Sequence, residues 1–171
     1  MKTIFITGGS TGIGRATVKK FVAEGWNVAF MDVNKPMAES LLAEIGNSEQ
    51  LLFVAGDTRS REDLQKAVAA AVQKFGEVNS VFANAGIHQN NTLLDISEED
   101  LRKIVDINVF GTVYTLKAVL PEIIRTGGGS VVINCSDQWL VGKPSTFAYG
   151  MTKGALGQIT RSLSIDLAKD N

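Results

Sequence analysis

The chain has 171 residues and a formal net charge of −1, with 44% hydrophobic and 20% charged residues. This length and composition are typical of one globular domain, and the near-neutral balance gives no electrostatic footprint for nucleic acid. The single cysteine and single histidine exclude an internal disulfide and a structural zinc cluster. We therefore expect no metal site and a reducing compartment, the cytoplasm. We find no apolar run long enough for a secretion signal or a bilayer span, so we expect no membrane association.

Short apolar runs alternate with amphipathic stretches along the whole chain. The apolar runs predict five strands, at Thr3–Thr7, Asn27–Met31, Leu51–Ala55, Val78–Ala83 and Ser130–Cys135. The stretches between them predict helices at Ile13–Glu24, Pro36–Ile45, Arg61–Phe75, Glu98–Arg125 and Phe147–Lys169. Several strands lack polar alternation, as expected where both faces are covered. Serial β-α units of this kind predict an α/β fold with a doubly wound parallel sheet, the Rossmann fold.

Capping residues mark the ends of several predicted helices. Gly25, Gly46 and Gly76 stand where left-handed C-terminal caps belong. Ser60 and Ser97 precede helices and have hydroxyls suited to N-terminal caps. These residues support the helix boundaries that periodicity alone predicts.

The first predicted strand runs directly into a glycine-rich turn, TGGSTGIGR at residues 7–15, which opens the first predicted helix. Gly8, Gly12 and Gly14 permit a tight turn and a close approach of the backbone to a pyrophosphate. The helix N-terminus offers unpaired N–H groups and the positive end of its dipole. The second strand ends at Asp32, about where an acidic residue binds the ribose hydroxyls of NAD. We therefore predict a dinucleotide site.

Asp32 also predicts the choice between NAD and NADP. Its carboxylate can accept hydrogen bonds from both ribose hydroxyls, and it would repel a 2′-phosphate. Arg15 and Lys35 are basic residues close enough in the sequence to favour a phosphate instead. We predict NAD as the cofactor, with NADP as the less favoured alternative.

Tyr149 and Lys153 stand four positions apart on the last predicted helix, so both project from one face. A lysine ammonium about 4 Å from a phenol stabilises the phenolate by about 4 kcal/mol at an effective dielectric of about 20. That corresponds to about three pKa units, before desolvation takes some back. Ser136 follows the fifth strand, at the edge where open α/β sheets bind ligands, and its hydroxyl can donate to a substrate oxygen. These residues predict proton exchange with a substrate oxygen.

Together the motifs resemble those of the short-chain dehydrogenase/reductase family. The turn has the TGxxxGxG spacing of that family, and Asn84-Ala85-Gly86 matches the NAG motif that ends its fourth strand. The resemblance implies an NAD-dependent oxidoreductase that transfers a hydride between a secondary alcohol or carbonyl substrate and nicotinamide. The cofactor-binding residues that it implies are Thr7, Gly8, Ser10, Thr11, Gly12, Ile13, Gly14, Asp32, Val33, Asp57, Thr58, Asn84, Ala85, Gly86, Tyr149 and Lys153.

The resemblance also implies a catalytic tetrad of Asn108, Ser136, Tyr149 and Lys153. Tyr149 would be the general acid/base, and Ser136 would orient the substrate oxygen. Lys153 would tune the phenol and hold the nicotinamide ribose, while Asn108 would bind a water in a proton relay. Asp57 matches the acidic residue that contacts adenine in the family.

Three neighbouring features have more than one interpretation. His88 either touches the substrate or is a solvated loop histidine, which we favour. Residues 137–139 (DQW) either line the substrate pocket or only connect to the next helix, and the sequence leaves both open. Cys135 points away from Ser136 on an extended segment, so we expect a small core residue.

Two other function classes use the same fold. One is a non-catalytic NAD-binding sensor or scaffold, which the intact Ser136, Tyr149 and Lys153 disfavour. The other is the epimerase and dehydratase branch, whose glycine motif is spaced differently. Family members pair the helices that match residues 98–125 and 147–169, so the resemblance implies a homodimer or homotetramer.

The sheet of the family continues beyond the position of Asn171 with two more strands and the helices that cover the substrate. We therefore expect residues 1–171 to form a single NAD-binding domain that lacks this substrate-covering part. An isolated piece of this length would bind NAD weakly and turn over substrate poorly or not at all. Its fifth strand would expose an apolar, unpaired flank.

Overall fold

A computed structural model describes residues 2–46 and 48–170, so Met1 and Asn171, the ends of the expected domain, lie outside the described residues. The strands are β1 (Thr3–Thr7), β2 (Asn27–Asp32), β3 (Leu51–Ala55), β4 (Ser80–Ala83) and β5 (Ser130–Ile133). The helices are α1 (Gly12–Ala23), α2 (Lys35–Ile45), α3 (Arg61–Phe75), α4 (Glu98–Val105), α5 (Gly111–Arg125) and α6 (Phe147–Asp166). Each predicted element is present, with ends that shift by three residues or fewer.

The five strands form one parallel sheet in the order β3-β2-β1-β4-β5. The chain moves outward from β1 to β3, then crosses back so that β4 lies on the other side of β1. This reversal opens a crevice at the carboxyl ends of β1 and β4, where doubly wound sheets bind ligands. The predicted Rossmann architecture is confirmed.

Alternate side chains of the strands supply two separate cores. In β1, Ile4 and Ile6 pack with buried side chains of α1 and α2, including Leu41. Phe5 points to the opposite face and packs with α3 and α5, including Leu64. Since helices cover both faces of β1, its uninterrupted apolar run is explained.

The predicted caps are confirmed. The hydroxyls of Ser60 and Ser97 accept hydrogen bonds from the backbone N–H three residues on, at 3.1 and 3.0 Å. Gly25, Gly46 and Gly76 have φ angles of +79°, +87° and +84°, which suit glycine at the end of a helix.

The predicted long helix Glu98–Arg125 is continuous but contains a π-turn at Asp106–Phe110. By length and composition alone, this 28-residue stretch is long and apolar enough to cross a membrane. The expectation that the chain has no such apolar run is therefore corrected. A core helix of a soluble protein passes the same test, and Leu116, Val119 and Ile123 pack on the sheet as such a helix would. The π-turn is the more informative feature, because such turns are frequent at functional sites.

Strand β5 forms an edge of the sheet among the described residues and exposes apolar side chains. Val131 is 38% exposed and Val132 is 54% exposed. A groove of about 280 Å³ lies beside this strand, between α5 and α6. The exposed apolar flank expected for this strand is present in the structure.

Helix α6 packs closely on the turn that follows β5. Residues Asp137–Trp139 form a 3-10 turn, and the Trp139 indole lies directly over Gly157. A Cβ built at Gly157 would overlap the indole ring, whereas a Cβ at Gly154 in the same helix has no neighbour within 4 Å. The missing side chain of Gly157 therefore fixes how closely α6 approaches the segment that carries Ser136.

We expect Gly157→Ala to lower the free energy of unfolding by about 1–3 kcal/mol, because the added methyl group displaces Trp139. Gly154→Ala is the matched control, and it should raise that free energy by up to about 1 kcal/mol because alanine favours the helix. Urea denaturation of both variants measures the difference. If the two substitutions shift stability equally, close packing at Gly157 is not what holds α6 in place.

Candidate active site

The turn after β1 has the geometry that its glycines predict. Gly8 and Gly12 have φ angles of +67° and +52°, in the left-handed region that favours glycine. The Gly8 N–H donates to the Met31 carbonyl at 2.8 Å, which ties the turn to β2. A Cβ at Gly14 would overlap the Gly8 carbonyl oxygen, so α1 begins in direct contact with the turn.

The ends of β1 and β4 are joined across the crevice by hydrogen bonds. The Asn84 amide Nδ2 donates to the carbonyls of Thr7 and Gly8, both at 3.0 Å. The Thr7 hydroxyl accepts from the N–H groups of Asn84 and Ala85 at 3.1 and 3.2 Å. The NAG motif therefore fixes the glycine turn, and Thr7 acts as a buried tie between the two strands.

A cavity of about 410 Å³ lies in this crevice, within the usual size range of small-molecule sites. The predicted cofactor residues in its wall are Gly8, Thr11, Gly12, Ile13, Asp32, Val33, Asp57, Thr58, Asn84, Ala85 and Gly86. The predicted residues that are not in this wall are Thr7, Ser10, Gly14, Tyr149 and Lys153. Sequence reasoning missed Met31, Gly56, Arg59, Ile87, Ile107 and Asn134, which also line the cavity.

Hydrogen bonds from the backbone hold the carboxylate of Asp32 in the cavity wall. Its Oδ2 accepts from the N–H of Ser10 at 3.0 Å, and its Oδ1 accepts from the N–H of Asn34 at 2.9 Å. The carboxylate thus bridges the glycine turn and the start of α2. Asp32 lies at the end of β2, and its hydrogen bonding to ribose hydroxyls stays a prediction.

Arg15, which the sequence offered as a possible phosphate ligand, is engaged elsewhere. Its guanidinium pairs with Glu44 at 2.7 Å and donates to the Met37 carbonyl at 3.0 Å. Hydrogen bonds from Lys19 and then Arg15 hold the pKa of Glu44 below its ordinary value. The positive charge of Arg15 is therefore balanced on α2.

Asp57 shares its carboxylate with a neighbour that sequence reasoning overlooked. The Arg59 side chain donates to it from Nη2 at 2.6 Å and from Nε at 3.0 Å. This hydrogen bonding lowers the pKa of Asp57. The expected adenine contact of Asp57 stays a prediction, and Arg59 would stand beside it in the cavity wall.

A chain of hydrogen bonds connects Lys153 to the cofactor cavity. Its ammonium donates to the Asn134 carbonyl at 2.6 Å, and the Asn134 side chain donates to Asn84 Oδ1 at 2.9 Å. Lys153 is only 4% exposed, and this burial lowers its pKa, while the Cys135 thiol has an opposing effect. The buried Lys153 is therefore hydrogen-bonded directly to Asn134, a residue of the cavity wall.

The Tyr149 phenol ring is close to both this lysine and His88. Lys153 Nζ is 5.4 Å from the centroid of the phenol ring. The His88 ring lies 4.6 Å from the same centroid on a tilted plane. His88 is exposed, as expected for a loop histidine, but its contact with Tyr149 was not foreseen.

Ser136 begins the 3-10 turn of residues 137–139. Its hydroxyl donates to the Asp137 carboxylate at 3.0 Å and accepts from the Gln138 N–H at 3.2 Å. Asp137 also pairs with Lys143 at 2.8 Å, and hydrogen bonds from Lys143 and then Ser136 lower its pKa. The segment therefore does more than connect two elements, because it directs the proton of Ser136.

Asn108 lies in the π-turn and is completely buried. Its Oδ1 accepts from the Ile87 N–H at 2.8 Å, and its Nδ2 donates to the Ile87 carbonyl at 3.0 Å and to the Thr152 hydroxyl at 3.1 Å. The amide thus clamps the loop after β4 to α6. A water relay through this side chain would have to displace one of these bonds, and the relay stays a prediction.

The expectation that Cys135 is a core residue is wrong. The residue is half-buried, and its thiol donates to the Lys153 carbonyl at 3.2 Å. Cys135 follows β5, whose side chains are exposed or half-buried, so pointing away from Ser136 does not bring its thiol into the core.

Comparison with known proteins agrees with this architecture. The chain is 38% identical over 170 residues to a 2,5-dichloro-2,5-cyclohexadiene-1,4-diol dehydrogenase of Sphingobium indicum, covering 98% of this chain and 67% of the relative. It is 34% identical to a cis-2,3-dihydrobiphenyl-2,3-diol dehydrogenase of Paraburkholderia xenovorans, covering 98% and 61%. It superposes with a TM-score of 0.94 on a 3-ketoacyl-(acyl-carrier-protein) reductase from Brucella melitensis complexed with NADH, at 30% identity and covering 99% and 71%.

These matches cover nearly all of this chain but only part of each relative. Among the curated relatives compared, the chain spans between 59% and 68% of their own length. The family model for short chain dehydrogenases, in contrast, matches residues 2–171. Because that match covers nearly the whole sequence, the chain belongs to the short chain dehydrogenase family.

Proposed function

We propose that the protein is an NAD-dependent oxidoreductase that transfers a hydride between a secondary alcohol or its carbonyl and nicotinamide. The observation that carries this proposal is the hydrogen-bonded path from Lys153 through Asn134 to Asn84. It links a buried cation beside Tyr149 to the wall of the dinucleotide cavity. Two relatives named as diol dehydrogenases and a structural neighbour with NADH support the same chemistry.

The residues of the cavity fit a dinucleotide. Helix α1 begins without a side-chain cap at Thr11 and without acidic residues in its first turn. Its first N–H groups are therefore available to an anion, in a wall formed by Thr11, Gly12 and Ile13. A Cβ at Gly8 would come within 2.9 Å of the Ala85 backbone, so the glycine keeps this wall narrow.

The bound nicotinamide would supply the hydride chemistry, and the chain would move the proton. We assign Tyr149 as the group that gives a proton to the substrate carbonyl or takes one from the alcohol. The buried Lys153 ammonium lies 5.4 Å from the centroid of the phenol ring, so the chain holds a lysine next to the group that would move the proton. Ser136 would turn its hydroxyl proton from Asp137 to the substrate oxygen and stabilise negative charge there.

We also propose that NAD is preferred to NADP, because Asp32 borders the cavity while Arg15 is paired with Glu44. NADH should bind about a hundredfold more tightly than NADPH. Asp32→Asn, which removes the charge and one of the two acceptor oxygens, should reduce this ratio at least tenfold. Fluorescence titration with both cofactors measures it.

The matched control for this measurement is Glu39→Gln, which removes one negative charge from an exposed position on α2. It should leave the ratio of the two affinities unchanged. Tighter binding of NADPH than NADH by the unaltered protein would contradict the assignment. An equal response of the two variants would show that overall charge, rather than Asp32, sets the preference.

Measured on the full-length enzyme, Tyr149→Phe should reduce kcat at least a hundredfold and leave the NADH dissociation constant within a few-fold. The phenol hydroxyl acts on the substrate oxygen in the transition state, and general acid/base catalysis is typically worth about 10²–10⁴-fold. Steady-state kinetics with an alcohol panel, together with NADH titration, separate the two effects. A variant with more than about a tenth of the original kcat would refute the role of Tyr149. A full-length protein that binds NADH but converts no alcohol or carbonyl would be the non-catalytic alternative.

We further propose a cytoplasmic homodimer or homotetramer that associates through the helices of residues 98–125 and 147–169. These segments carry exposed apolar side chains, at Phe110, Ile124, Phe147, Met151 and Ile165. Burial of apolar surface is the main driving force for such association. Sedimentation equilibrium should give two or four times the monomer mass, and a monomer at micromolar concentration would rule the assembly out.

A further inference from the structure

We propose that His88 is a substrate-binding residue whose imidazole forms a hydrogen bond with a second oxygen of the substrate, on the carbon next to the reacting carbon. The preferred substrates would then be vicinal diols and the corresponding hydroxyketones. This inference rests on the proposed function, since it takes the Tyr149 hydroxyl to mark the position of the reacting oxygen.

The position of His88 is the first argument. Its ring centroid lies 4.6 Å from that of Tyr149, with the two ring planes at 54°. Lys153 is also near the Tyr149 ring, with Nζ 5.4 Å from the centroid. The imidazole is therefore in ring contact with the residue whose hydroxyl the proposed function assigns to the reacting oxygen.

The second argument is that His88 has unused hydrogen-bonding capacity. Its side chain is exposed, and its imidazole forms no hydrogen bond with any residue in the described part of the chain. A neutral imidazole offers one donor and one acceptor, which suits either a hydroxyl or a carbonyl oxygen. The next residue, Gln89, is in contrast already bonded to Asp100 at 3.1 Å.

The loop that carries His88 is fixed on both sides, which is the third argument. Before it, the N–H and carbonyl of Ile87 are both bonded to Asn108. After it, the Asn91 N–H donates to the Ser145 carbonyl at 2.8 Å, and the Asn91 side chain accepts from the Ala148 N–H at 3.2 Å. Because the loop is ordered in advance, a hydrogen bond from His88 costs little further conformational entropy.

The first test uses the fact that His88 is the only histidine of the chain. Its imidazole protons give a unique pair of signals in the proton NMR spectrum. The NADH-loaded protein, which cannot oxidise an alcohol, is titrated with cis-1,2-cyclohexanediol and separately with cyclohexanol. The diol should shift the His88 signals in a saturable manner, and cyclohexanol should shift them much less. No shift with the diol, or equal shifts with both compounds, would overturn the proposal.

The second test compares kcat/KM for the same two alcohols in variants. His88→Phe retains an aromatic ring beside Tyr149 but removes both ring nitrogens. It should lower the preference for the diol by between about two- and tenfold, the range for one hydrogen bond, and leave cyclohexanol within twofold. His88→Gln should recover part of the preference, because its amide can donate and accept. Asn90→Ala, at an exposed neighbouring position, is the control and should change neither value.

The two tests separate this inference from the proposed function. If the protein oxidises alcohols but His88→Phe keeps the full preference for the diol, His88 is not a substrate ligand and the proposed function stands. If the diol shifts the His88 signals but the full-length protein converts no alcohol or carbonyl, His88 still binds the diol and the proposed function fails.

Discussion

The side-chain amide of Asn84 holds the two halves of this site together. Its nitrogen donates to the carbonyls of Thr7 and Gly8, and its oxygen accepts from Asn134, whose own carbonyl receives the Lys153 ammonium. One planar group thus joins the glycine turn, the end of β4, the end of β5 and helix α6. A group with one donor end and one acceptor end is required here, since an aspartate could not donate to the two carbonyls.

The order of the strands determines where these hydrogen-bonded residues lie. Strands β1 and β4 are neighbours only because the chain reverses its direction of travel across the sheet. Their carboxyl ends, and that of β5, therefore meet at one edge and bring Gly8, Asn84 and Asn134 within hydrogen-bonding range. Helix α6 reaches the same edge through the close contact between Gly157 and Trp139.

Local features of the sequence predicted a large part of this structure. The glycine turn depends on backbone conformations that few other residues adopt, and the serine caps depend on a neighbour three residues away. Asn134 was missed because the group that binds Lys153 is its backbone carbonyl, which any residue would supply. The contact between His88 and Tyr149 was missed because it joins residues far apart in the chain, which periodicity cannot detect.

The π-turn at Asp106–Phe110 makes the length of its helix as important as its composition. Each residue of an α-helix advances the chain by about 100° around the axis. Loss of a single residue from this turn would rotate α5 relative to α4 by about that angle, and Asn108 could no longer meet Ile87 and Thr152 together. Insertions and deletions here would thus be far more damaging than most amino-acid replacements, so the number of residues in this turn is constrained more strictly than their identity.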